Sequence, residues 1–121
     1  MATRAYEELI ADDKVQALIA QAREQYPGKR FRPVDTAAGV LVLMNPSRAQ
    51  HDAILKALAG NKDDESLNLA AAATQLQTVC AVPDKATINK LIEEWPGLPT
   101  DMGVQRAYQI LAGQTIGDYQ K

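Results

Sequence analysis

The stretch Gly39–Met44 reads GVLVLM. Five consecutive apolar residues, Val40 to Met44, make a strand with no polar side, because successive side chains in a strand point to opposite faces. Before it stands KRFRPVDT, in which Phe31 and Val34 are strand-like. The connection Thr36 to Gly39 is short and ends in glycine, which suits a hairpin. Pro33 cannot donate to a ladder, so the first strand belongs at an edge or at a bulge. A two-stranded ribbon alone is marginal in water. One face must therefore meet the chain's own helices. The other needs a second cover, either the N-terminal helix or a partner chain.

The rest of the chain is helical in texture. Arg4 to Tyr26 carries two apolar stripes that differ in phase: Tyr6, Leu9 and Ile10, then Val15, Leu18, Ile19 and Ala22. Asp12 and Asp13 lie between them and can cap the second. Residues 1–12 are expected to form a mobile arm. Pro27 and Gly28 end the second helix. After the hairpin, Ser47 and Gln50 are spaced as a capping box, ahead of the stripe His51, Ile54, Leu55 and Leu58, which Gly60 stops. A polar loop, 61–65, follows. The next helix carries Leu69, Ala72, Ala73, Leu76, Val79 and Cys80, and its alanine-rich face suits a central position. Pro83 is expected to end it, with Asp84 capping its successor. Ile88, Leu91, Ile92 and Trp95 then make one apolar face, terminated by Pro96 and Gly97. Thr100 or Asp101 caps a last helix with Val104, Ala107, Tyr108 and Leu111 inward, closed by Gly113. Residues 114–121 are expected to fray.

The expected fold is therefore mainly α with a small β-hairpin: one compact α+β domain over residues 1–121, with four to five helices. The length of 121 residues suits one domain, and 46% hydrophobic residues argue against wholesale disorder. Aromatics are only 5%, which leaves alanine and leucine to dominate the apolar set and favours helix.

Charge and residue inventory exclude several kinds of function. A formal net charge of −2 lacks the basic excess of a nucleic-acid binder. The one basic cluster, Lys29, Arg30 and Arg32, reads as a solvated strand edge. There is no apolar run of membrane-span length, and the N-terminus lacks the pattern of a signal peptide. A single cysteine forbids an intrachain disulfide and suits a reducing compartment. A soluble, cytosolic protein is expected. One histidine and one cysteine make a poor zinc set. His51 reads as a satisfied, partly buried side chain and Cys80 as a packed thiol. Asp63, Asp64 and Glu65 lack the alternation of a calcium loop. Glu93 and Glu94 point in different directions on a helix. No GxxxxGK[ST], GxGxxG or GxSxG occurs. An enzyme, a cofactor and a bound metal are not expected.

Two apolar groups are left as candidate partner-binding residues. One is the strand Val40, Leu41, Val42, Leu43 and Met44. The other is Trp95, Leu98 and Met102, around Pro99. Each is either core or docking surface; tryptophan and methionine are enriched at interfaces.

The order of these pieces, from about Val15 to Gly113, resembles the small tail assembly chaperones of long-tailed, siphovirus-like bacteriophages. The stretches that carry the resemblance are VLVLMNPSRAQHDAILKAL, LNLAAAATQLQTVCAVPD, NKLIEEWPGLP and GVQRAYQILAG; the pattern "VCAVPD…LIEEWPGLPTDMG…ILAG" is the most telling. The resemblance implies a non-enzymatic role in the host bacterial cytoplasm. Such proteins bind the tape measure protein, keep it soluble during tail assembly, self-associate and are absent from the mature virion. Many families also make an extended form by frameshifting, which recruits the tail tube protein. No family motif fixes the binding residues. A structural virion protein, for head-tail joining or tail completion, is the alternative. A helical transcriptional regulator would need a basic recognition helix, and none of the stripes faces one.

Overall fold

In the computed structural model, residues 3–60 and 65–113 are described. The expected polar loop lies outside them but for Glu65, which opens a helix, and so does the expected frayed tail. The elements in chain order are α1 (Tyr6–Ile10), α2 (Asp13–Gln25), β1 (Phe31–Thr36), β2 (Gly39–Met44), α3 (Arg48–Gly60), α4 (Glu65–Val79), β3 (Cys80–Val82), α5 (Lys85–Glu94) and α6 (Met102–Ala112). The fold is α+β, as the sequence predicts, with an antiparallel sheet in the order β1-β2-β3.

The doubly apolar strand β2 is the central strand, and it divides two cores. Leu41 and Leu43 face one way, into a core with Ile54 of α3, Leu76 and Val79 of α4, Ile88 of α5 and Val104, Ala107, Tyr108 and Leu111 of α6. Val42 and Met44 face the other way, where Leu9 of α1 and Val15, Ile19 and Ala22 of α2 cover them. The choice between N-terminal helix and partner chain is settled in favour of the helix. Helix α4 packs against both α3 and α5, and α6 is seated on the β1–β2 hairpin.

Local chemistry sets the element ends. Asp12 Oδ1 accepts from the Lys14 and Val15 amides at the start of α2. Ser47 and Gln50 form the expected reciprocal box, at 2.9 and 3.1 Å. Asp84 accepts from the Thr87 amide and Asp101 from the Val104 amide, so Asp101, not Thr100, caps α6. Gly113 closes α6 at φ 81°, a left-handed conformation that costs a side-chain-bearing residue far more than glycine. In the hairpin, Thr36 Oγ1 donates to the Gly39 carbonyl at 2.7 Å and accepts from the Ala38 amide. Pro33 sits on β1, an edge strand, as its missing N–H requires.

Three expectations are corrected. Residues 3–12 are not a free arm. Leu9 is 1% exposed in the second core, and Arg4 bonds Asp12 at 2.8 Å and Asp35 at 3.3 Å. Helix α4 does not run to Pro83. It stops at Val79, and Cys80–Val82 turns into a third strand, with a register shift where Val42 pairs Val82 and Leu43 pairs Cys80. The extra residue in this bulge puts Ala81 and Val82 in the second core while Cys80 stays in the first. The basic cluster is not simply solvated. Lys29 donates to the Asn45 carbonyl, Arg30 to the Leu111 carbonyl at the end of α6, and Arg32 lies 4.0 Å over the Tyr6 ring.

Candidate functional site

The two candidate apolar groups have different fates. Leu41, Val42, Leu43 and Met44 are buried, and Val40 is half-buried against the second core. They hold the fold together and present no docking face. Leu98 is likewise 4% exposed and belongs to the first core. The exposed apolar side chains of the second group are Trp95, at 40%, and Met102, at 79%.

These two flank the corner between α5 and α6. Trp95 is the C-cap of α5, its amide bonded to the Leu91 carbonyl at 2.7 Å. Two successive turns follow, Leu98 N–H to the Trp95 carbonyl and Asp101 N–H to the Leu98 carbonyl. Pro99 and Leu98 point inward and pin the corner to the core. Trp95 and Met102, at its two ends, are left in solvent, beside the exposed Glu93 and Glu94. Covering the largely exposed Met102 side chain would contribute on the order of 1.5–3 kcal/mol, and covering the exposed part of the Trp95 indole would add to it.

Two partly buried polar pairs lie under this corner. Gln105 Nε2 on α6 donates to the Pro99 carbonyl at 2.8 Å and to Gln75 Oε1 on α4 at 2.6 Å. Gln75 is 4% exposed and Tyr108 3% exposed. Tyr108 Oη lies 2.7 Å from His51 Nδ1 on α3, with the two rings stacked 5.7 Å apart. Burial raises the Tyr108 phenol above its ordinary value, partly offset by the Gln75 amide, so the hydroxyl keeps its proton. His51 is thus satisfied, as its place on an apolar face implies.

Comparison with family models, with curated proteins and with solved structures finds no match.

The Cys80 thiol is buried, and desolvation pushes it up to about 12 from 9.0, while the Val82 carbonyl lies 3.4 Å from the sulfur. A thiol so placed is not a nucleophile at neutral pH. No group of three His, Cys, Asp or Glu side chains converges as a metal site among the described residues. No helix of the described residues is long and apolar enough to cross a membrane.

Three further exposed apolar residues escaped the sequence reading: Ile10 on α1, Leu55 on α3 and Leu69 on α4. All three belong to the apolar stripes, yet are exposed. The signal was the width of the α3 stripe. Ile54 and Leu55 are adjacent, about 100° apart around a helix, and only Ile54 points into the core.

Proposed function

We propose that this chain is a tail assembly chaperone of a long-tailed bacteriophage, which binds the tape measure protein and keeps it soluble while the tail is built. One observation carries the reading. The most distinctive stretch of the resemblance, LIEEWPGLPTDMG, coincides with the exposed corner formed by Trp95 and Met102. A long helical client that shows apolar stripes before assembly needs apolar contacts from its holder and no catalytic groups. Several weak contacts from several copies give avidity and still permit release, which is why self-association belongs to the proposal. So do action in the host bacterial cytoplasm, absence from the mature virion and recruitment of the tail tube protein by an extended form.

Co-expression with the protein encoded immediately downstream tests it. The expected outcome is that a large, helical, otherwise insoluble neighbour becomes soluble and co-elutes with several copies of this chain. Trp95→Ala with Met102→Ser should abolish co-elution while leaving the fold intact. If the neighbour is unaffected and this chain instead forms a stable closed ring, it is a structural virion protein and the chaperone reading fails.

A further inference from the structure

The α5–α6 corner carries a charge pattern that folding does not ask for. Helix α5 ends in Glu93 and Glu94, both exposed, and has no basic residue in its last turn. A helix C-terminus is the negative end of the backbone dipole, so carboxylates there oppose it. Trp95 follows directly as the C-cap, and from Leu91 to Gln105 the chain has no lysine or arginine. The third carboxylate of this stretch, Asp101, is taken by the Val104 amide. No ion pair between described residues includes Glu93, Glu94 or Lys90, the cation one turn back on α5.

The corner is also preformed. Leu98 and Pro99 are buried. Gln105 Nε2 holds the Pro99 carbonyl at 2.8 Å and the Oε1 of buried Gln75 at 2.6 Å. A site already ordered loses little freedom on binding.

We propose that the corner binds a cationic partner: a helical protein segment in which lysine or arginine flanks an apolar stripe. The stripe covers Trp95 and Met102. The flanking cation lies where the Glu93 and Glu94 carboxylates, the C-terminal end of α5 and the face of the indole all favour positive charge. The fold uses the same kind of contact internally, with Arg32 4.0 Å over the Tyr6 ring. A nucleic acid or an anionic lipid surface meets the wrong sign of charge. The corner's role as a client site rests on the proposed function; its preference for positive charge is a property of the free protein.

The test uses two synthetic helical peptides that share one leucine stripe, lack tryptophan and carry either lysine or glutamate beside the stripe. Trp95 is the chain's single tryptophan, so its emission reports the corner directly. The expected result is a shift of Trp95 emission with the lysine peptide, whose affinity falls as salt rises, and binding of the glutamate peptide weaker by about tenfold or more. Glu93→Lys with Glu94→Lys should reverse the preference. These changes put cations at the negative end of α5, so circular dichroism and the melting temperature should show the fold unharmed. Met102→Ser should weaken both peptides and keep the preference. Equal binding of the two peptides, no response of Trp95 to either up to about 1 mM, a lysine preference that survives the charge reversal, or a stronger response to phosphatidylglycerol vesicles overturns the proposal. If the lysine peptide is preferred but the downstream-encoded protein stays insoluble on co-expression, the chaperone reading fails and the charge preference of the corner stands.

Discussion

Cys80 shows how position decides the chemistry of a side chain. Its thiol ionises at about 12 in the fold against an ordinary 9.0, because burial penalises the thiolate. Below pH ~9 both folded and unfolded thiols are protonated, and Cys80 adds no pH dependence. Between there and the folded value only the unfolded chain ionises, so stability falls with rising pH by up to about 1.4 kcal/mol per unit. Urea denaturation at pH 8 and 10.5 should show wild type losing about 2 kcal/mol more than Cys80→Ala over that interval. The native thiol should also resist a disulfide reagent at neutral pH and react only on unfolding. At the same scale, Leu43 is a core residue and not a docking one. Leu43→Ala should cost about 2–5 kcal/mol, read from the denaturation midpoint. The packed states of Cys80 and His51 were legible, because a lone cysteine or histidine on an apolar stripe is seldom elsewhere. The partners were not legible: Tyr108 stands 57 positions from His51 in sequence.

At the scale of elements, the helices α2, α3, α5 and α6 could be read from their caps and stops. Asp12, Ser47, Asp84 and Gly113 act through bonds to residues within four positions, so the sequence contains the whole interaction. Asp84→Ala should destabilise the protein by about 1 kcal/mol, measured by thermal or chemical denaturation. Two elements were misread, and both depend on distant partners. Helix α1 is five residues long and too short to stand alone. It is held by Leu9 in the second core, by Arg4 on Asp12 and Asp35, and by Tyr6 under Arg32. Leu9→Ala should therefore cost about 2–5 kcal/mol, where truncating a free arm would cost nothing. Strand β3 has three residues at the end of a helical stripe. Cys80 falls in phase with the α4 pattern, and only pairing with β2 turns it into a strand.

For the whole molecule, the sheet is a partition between a large helical core and a smaller one under α1 and α2. Among the described residues the exposed large hydrophobics are Ile10, Leu55, Leu69, Trp95 and Met102, and the last two share the α5–α6 corner. Met102→Ser, at a side chain 79% exposed, should change the unfolding free energy by no more than about 0.5 kcal/mol, whereas Trp95→Ala, at one 40% exposed, also removes the covered part of the indole and should cost more. The same pair of changes should remove capture of the downstream-encoded client in co-expression. A large loss of stability from Met102→Ser alone would instead place that end of the corner in the core, against the proposed function.

The apolar run Val40–Met44 by itself required a strand covered on both faces, and the caps required helices at nearly the places they occur. Those are short-range demands, and the sequence contains both sides of each. What covered the second face, where α4 stopped, which of Trp95, Leu98 and Met102 stayed exposed, and what His51 bonded were decided by the tertiary structure. Each depends on groups far apart in the chain that meet only when the sheet has formed: Leu9 on Val42, Cys80 on Leu43, Tyr108 on His51. Periodicity shows that a residue is apolar on a helix face; only packing decides whether another element arrives to bury it.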